Sequence, residues 1–114
     1  MATKRLELPD GQWADLLVKP RHAEYVAIIE EQELALRGES TMARWALTVG
    51  QQFTQKWRVF DEDGESVPLE DWATADPDIT DAISTEAQNR WAEWSVRRRP
   101  LVERRRPSRP DDES

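Results

Sequence analysis

Cysteine is absent from this chain of 114 residues, histidine occurs once, and no apolar run is long enough to cross a membrane. The missing cysteine excludes disulfides, thiolate metal ligands and a thiol nucleophile. A single histidine excludes a multi-histidine metal site and leaves little basis for a Ser-His-Asp site. The first residues lack an apolar signal segment, so we expect a cytoplasmic chain without a membrane span.

Acidic residues are plentiful, but their spacing does not indicate an enzyme or a metal site. Residues 61–64 (Asp-Glu-Asp-Gly) look superficially like a calcium loop. They lack the full D-x-D-x-D-G spacing of such a loop, and a solvated turn explains them. Helix capping explains Asp76 and Asp78, and a surface or capping position explains His22. We therefore predict no catalytic residue, no metal and no cofactor.

The formal net charge of -7 is divided unevenly along the chain. Residues 1–60 are neutral, residues 61–96 carry -10, and residues 97–114 carry +3. Such asymmetry is typical of interaction surfaces rather than of a particular fold. The positive end contains seven arginines, namely Arg97, Arg98, Arg99, Arg104, Arg105, Arg106 and Arg109.

Several roles fit this arginine cluster. Guanidinium groups neutralise the phosphates of a nucleic acid, although no aromatic residues are interleaved here for base stacking. The alternatives are contact with the acidic segment 61–96, contact with an acidic partner, or a tail that only aids solubility or self-association.

Local patterns predict one α+β domain, mostly α-helical, over residues 1–99. Alternating polar and apolar residues on both sides of a Pro-Asp-Gly turn predict an N-terminal β-hairpin over residues 4–18. Periodic apolar residues and terminal signals predict three amphipathic helices, at about residues 22–37, 41–57 and 77–98. Residues 100–114, rich in arginine and proline, are expected to be a disordered tail.

Apolar positions at helical spacing define the face that each helix is expected to bury. They are Tyr25, Ile28, Ile29 and Leu36, then Met42, Trp45, Val49, Phe53 and Trp57, and finally Ile79, Ala82, Ile83, Ala87, Trp91 and Trp94. Gly38 stands where a glycine ends a helix, so it is expected to end the first helix. Asp76 followed by Pro77 is expected to begin the third helix. Gly50 has no side chain, which allows a neighbouring element to approach the second helix closely.

Residues 57–69 allow two interpretations. β-Branched and aromatic residues on both sides of the acidic turn favour a second small hairpin or an ordered loop. The alternative extends the second helix to Phe60 and leaves only a loop after it.

Six tryptophans are many for a chain of this size. Core packing is the simplest explanation for those on helical stripes, yet a small domain buries only roughly 60–65% of its unfolded surface. We therefore expect one or two to be exposed, Trp72 and Trp94 first. Exposed tryptophan is a common interface anchor. The predicted partner-binding residues are Trp45, Trp72, Trp91 and Trp94.

Two segments of the chain, residues 6–13 and 57–64, carry a resemblance to a known family. Residues 6–13 read Leu-Glu-Leu-Pro-Asp-Gly-Gln-Trp, a hairpin that opens an otherwise helical chain. Residues 57–64 read Trp-Arg-Val-Phe-Asp-Glu-Asp-Gly, and Val-Pro-Leu and an acid-capped final helix follow them. In style and order, residues 4–96 resemble a tail assembly chaperone of long-tailed, siphovirus-type phages that infect actinobacteria, or a related small phage morphogenesis protein.

The resemblance implies a non-enzymatic protein of the host cytoplasm that binds the tape measure protein and keeps it soluble during tail assembly. Many such chaperones also exist as a longer frameshifted form, but no trace of a frameshift site is visible in this tail. The alternative is a virion structural component, a head–tail connector or minor head or tail protein, whose arginine-rich tail contacts DNA or a neighbouring subunit. A homo-oligomer is also compatible, because a lone two-stranded hairpin is marginal in water.

Overall fold

A computed structural model describes residues 2–97, so the predicted tail at 100–114 and the last residues of the predicted domain lie outside the described part. The α+β class and the N-terminal hairpin are confirmed. The elements are β1 (Thr3–Glu7), β2 (Trp13–Leu17), α1 (His22–Leu36), α2 (Met42–Phe53), β3 (Thr54–Arg58) and α3 (Pro77–Arg97), with short 3-10 turns at Pro9–Gly11 and Trp72–Thr74.

The three strands form an antiparallel sheet in the order β1-β2-β3. Asp10 and Gly11 in the hairpin turn adopt left-handed backbone angles, with φ of 62° and 74°. The buried Gln12 side chain donates to the Pro9 carbonyl and accepts from the Phe60 N–H, each at 2.9 Å. Gln12 therefore fixes the hairpin turn against the segment that follows β3.

The second helix ends earlier than predicted, at Phe53 instead of residue 57. Trp57, which the helical spacing placed on the apolar stripe of that helix, lies in β3, so the extension to Phe60 is also wrong. The Thr54 hydroxyl donates to the Gly50 carbonyl at 2.7 Å, at the point where the helix stops. Pairing of β3 with β2 prevails here over a pattern that either element satisfies.

The acidic segment after β3 forms a small ordered turn, as the preferred interpretation predicted. Phe60 and Ser66 form a single antiparallel bridge. Between them, the Asp61 carboxylate accepts the backbone N–H groups of Asp63 and Glu65, each at 2.9 Å. The turn thus uses its first carboxylate to satisfy its own backbone.

One hydrophobic core joins the sheet to the helices. Its fully buried members include Leu16 of β2, Ile28 of α1, Phe53 of α2 and Ile83 of α3. The helix α2 contacts both α1 and α3. The predicted close approach at Gly50 is confirmed, because a Cβ there would lie 2.5 Å from Ser84 Oγ and 3.2 Å from Ser84 Cα.

Arg90 ties α3 to the sheet. Its guanidinium donates to the carbonyl oxygens of Leu16 at 2.9 Å, Leu17 at 3.1 Å and Lys4 at 3.2 Å. Its Nε donates to the Glu86 carboxylate at 2.8 Å, and the side chain is only 10% exposed. These bonds offset the cost of withdrawing the charge from water. None of the helices in residues 2–97 is long and apolar enough to cross a membrane.

Candidate functional site

The chain leaves a patch of large apolar side chains uncovered where α1 meets α2. A cavity of about 270 Å³ lies there, which we call the α1–α2 groove. Leu36 at the end of α1 is 79% exposed and Met42 at the start of α2 is 69% exposed. The groove is lined by Gln32, Ala35, Leu36, Met42 and Trp45.

Local backbone chemistry fixes this groove. Gly38 is in the left-handed region at φ 78°, its N–H donates to the Ala35 carbonyl at 3.1 Å, and the Glu39 N–H donates to the Leu34 carbonyl at 2.8 Å. These two bonds are the Schellman arrangement that ends a helix on glycine. The Thr41 hydroxyl then caps α2 by accepting the Arg44 N–H at 3.1 Å. The connection is short and hydrogen-bonded, so it holds the ends of both helices in place.

Trp45 is the only one of the four predicted partner-binding tryptophans that lines the groove. Its ring is half-buried and packs against the core. Its indole Nε1 is buried and has no hydrogen-bond partner in the described residues. An unsatisfied buried donor costs about 1–3 kcal/mol, so Trp45 is held there by packing rather than by polar contacts.

Trp91 and Trp94 lie together at a different place, on α3 against the start of α1. Their ring centroids are 5.4 Å apart, and Tyr25 lies 6.1 Å from Trp91 and 5.9 Å from Trp94. Trp91 is only 8% exposed and belongs to the core. The expected exposure of Trp94 is wrong, because this aromatic contact leaves it half-buried.

Trp72 is also half-buried, contrary to expectation. Its ring centroid lies 4.9 Å from that of Trp57 in β3. The Trp57 indole N–H in turn donates to the Val67 carbonyl at 2.8 Å. The connector thus folds back on the sheet, and its tryptophan covers β3 instead of facing solvent.

The structure describes only the first residue of the predicted arginine cluster. Arg97 is exposed in the last turn of α3, with its guanidinium 3.9 Å from the Glu93 carboxylate. The other residues of the cluster lie outside the described residues, namely Arg98, Arg99, Arg104, Arg105, Arg106 and Arg109.

Leu36 and Met42 were missed as candidate site residues. Helical spacing assigned both to buried stripes, whereas both are exposed. A signal was present in the sequence, because the two residues flank the Gly38 turn directly. The last turn of one helix and the first turn of the next have fewer neighbours than helix centres.

Charges differ between the strands and the helices. The strands carry four basic and two acidic residues, whereas the helices carry three basic and eight acidic ones.

Arg5 holds the pKa of the Asp15 carboxyl below its usual range through a side-chain hydrogen bond. In the same way, Arg21 lowers the pKa of the Glu24 carboxyl at the start of α1.

The exposed apolar side chains of the α1–α2 groove offer a surface on which another protein can pack. No group of three or more metal-ligating side chains comes together within residues 2–97. Comparison of the chain with protein-family models, curated proteins and solved structures found no match.

Proposed function

We propose that this chain is a non-enzymatic binding module that seats an amphipathic helix of a partner protein in the α1–α2 groove. The partner is the tape measure protein of a long-tailed phage, and the chain acts as a tail assembly chaperone in the host cytoplasm. One observation carries the proposal: Leu36 and Met42 are 79% and 69% exposed beside the half-buried Trp45.

The chemistry of the groove suits a helix. Helix-in-groove recognition uses apolar anchors at intervals of three and four residues, which insert between two helices of the receptor. Methionine adapts its shape to different side chains, so Met42 accommodates successive turns of a long, irregular helix. Burying a leucine or methionine side chain contributes about 1.5–3 kcal/mol, which gives the two exposed residues a substantial share of binding.

The charge of α1 favours a partner helix that has basic residues beside its apolar stripe. The helix α1, which forms one wall of the groove, has four glutamates and no lysine or arginine. A partner helix with basic residues beside its apolar stripe would therefore be favoured. The acidic helical surface would also keep the complex soluble by repelling like surfaces.

The test is co-expression with the tape measure protein, whose gene should follow this one directly as a very long helical reading frame. Wild-type chain should raise the soluble fraction of that protein. The double variant Leu36→Glu with Met42→Glu should abolish the effect and leave the chain folded, because exposed substitutions change stability by only about 0.5 kcal/mol each.

Val18→Glu with Val96→Glu is the matched control, because it places the same two charges on other exposed apolar residues. This control should solubilise the tape measure protein as the wild-type chain does. Unchanged solubility with the wild-type chain would reject the chaperone function. Full activity of the groove variant would reject the groove as the binding site.

A further inference from the structure

The outer edge of β1 is a second uncovered surface. β1 is the edge strand of the sheet and four of its five residues are exposed. Among residues 2–97, β1 pairs only with β2. An open strand edge presents unpaired N–H and C=O groups that are ready to pair with another strand.

Hydrogen bonds show which residues of β1 face this open edge. The Leu8 N–H donates to the Gln12 carbonyl at 2.9 Å, and the Val18 N–H donates to the Ala2 carbonyl at 3.3 Å. In an antiparallel ladder, alternate residues direct their backbone groups to the same side. The even-numbered residues therefore face β2, and Thr3, Arg5 and Glu7 direct theirs to the open edge.

We infer that the open edge of β1 pairs antiparallel with β1 of a second copy of this chain, across a two-fold axis at Leu6. This register places Leu6 opposite Leu6 of the second copy. It also places Arg5 opposite Glu7 of the second copy, twice by symmetry. The two sheets then form one continuous six-stranded sheet.

The charges of β1 favour this register over the registers shifted along the strand. A two-fold axis at Lys4, Arg5 or Glu7 would set two like charges directly opposite each other, which destabilises strand pairing. Only the axis at Leu6 brings opposite charges together on both sides. Thus the distribution of charge on β1 permits self-pairing and favours this alignment.

The side chains are already arranged for this contact. Arg5 donates through Nε and one terminal nitrogen to Asp15 at 2.8 and 3.1 Å, and its guanidinium lies 3.8 Å from the Trp13 ring centroid. The remaining terminal nitrogen is left for a second carboxylate. Glu7 forms no salt bridge in the described residues, so its carboxylate is available to the second copy.

The absence of cysteine makes a direct test possible, because one introduced thiol can form a disulfide only with the same thiol of a second copy of the chain. In the inferred register, Leu6→Cys brings two Cα atoms to about 4.5 Å, the spacing of a non-hydrogen-bonded pair. That separation is suitable for a disulfide. Mild oxidation should therefore convert Leu6→Cys to a covalent dimer.

Lys4→Cys is the matched control. Its two copies lie four positions apart along the strands, roughly 13 Å, which is too far for a disulfide. Mixing Lys4→Cys with Leu8→Cys should instead give the heterodimer, because these positions are opposite each other. This mixture keeps the inference testable if Leu6→Cys does not fold.

A charge reversal tests the same register without thiols. Glu7→Lys places two cations opposite each other at both symmetric positions, and should weaken self-association about tenfold or more in sedimentation at low salt. Glu30→Lys on α1 makes the same change in net charge away from the edge and should have no effect.

Three results would overturn the inference. They are a wild-type chain that sediments as a monomer across the dilution series, cross-linking of Lys4→Cys alone, or unaltered dimers of Glu7→Lys. The first would show that β1 does not pair with a second copy. If Leu36→Glu with Met42→Glu abolishes the dimer and Glu7→Lys does not, self-association belongs to the groove instead.

Discussion

The open edge of β1 and the α1–α2 groove are both uncovered, but they offer different chemistry to a partner. The edge offers backbone hydrogen bonds at fixed intervals, with charged residues that favour one alignment. The groove offers the apolar side chains of Leu36, Met42 and Trp45. These side chains bind by burying apolar surface area, so they tolerate variation in the sequence of the partner. The edge thus suits an identical copy, and the groove suits a long helix whose sequence changes along its length.

Separate contacts hold these two regions in place. The hydrogen bonds of Arg90 join the strands to α3, whereas the close approach of Gly50 to Ser84 joins α2 to α3. The two regions can therefore be perturbed separately. A change at Arg90 should affect the edge first, and a change at Gly50 should affect the groove first.

The largest effect is expected from Arg90→Met, which keeps the aliphatic stem and removes the guanidinium. Bonds to three carbonyl oxygens and to Glu86 are lost together. We expect the free energy of unfolding in urea to fall by about 2–3 kcal/mol, since hydrogen bonds to charged groups are the strong ones. Self-association should weaken more than binding in the groove.

Arg97→Met is the control, because this arginine is exposed in the same helix. It should change the free energy of unfolding by less than about 0.5 kcal/mol. Equal losses in the two variants would show that Arg90 does not join the strands to α3.

Gly50→Val should have a smaller effect, about 1–2 kcal/mol, which is in the lower part of the range typical of an overpacked contact. The added Cβ would meet Ser84 at both its Oγ and its Cα, so rotation of the hydroxyl alone does not relieve the contact. Urea unfolding measures the loss, and binding in the groove should weaken before self-association does. Gln51→Val introduces the same residue at the exposed neighbouring position, and a loss there as large as at Gly50 would contradict the packing argument.

The smallest effect is a pH dependence from the Arg5–Asp15 pair. Because the folded-state pKa of Asp15 is lowered, its contribution to stability is present above the unfolded pKa of about 3.9. This contribution is lost as pH falls through the lower folded-state pKa. Asp15→Asn should therefore be less stable than the wild-type chain at pH 6, and the difference should shrink at pH 2.

Asp10→Asn provides the control for the loss of a carboxylate, because Asp10 lies in the hairpin turn and forms no salt bridge in the described residues. It should not lower the free energy of unfolding at pH 6 as Asp15→Asn does. A pH-independent difference for Asp15→Asn would show that the ion pair contributes nothing to folding.

Sequence predicts the parts of this fold that local chemistry determines. Gly38 ends α1 and the Asp76-Pro77 pair begins α3, as expected. The start of β3 at Thr54 and its pairing with β2 could not be assigned from sequence, because that pairing is a long-range contact. Trp57 satisfies the helical spacing of α2 equally well, so pattern alone places it on the wrong element.

The candidate site was predicted less well than the fold, for a related reason. Trp45 was identified, but the periodicity that found it also assigned Leu36 and Met42 to the core. Periodicity gives the face of a helix and not how far a neighbour extends along it. Trp72 and Trp94 are covered by aromatic rings from distant parts of the chain, which no local pattern reveals.

The direct passage from Phe53 at the end of α2 to Thr54 at the start of β3 also has a consequence for how the chain folds. The β1–β2 hairpin and the α1–α2 pair each form through contacts between residues that are near each other in sequence. The loops that these contacts close are short, so their closure costs little conformational entropy. Pairing of Trp13 with Arg58 closes a much longer loop that contains both helices. We therefore expect the sheet to be completed late, after α2 has formed, with β3 brought to β2 by the helix that precedes it.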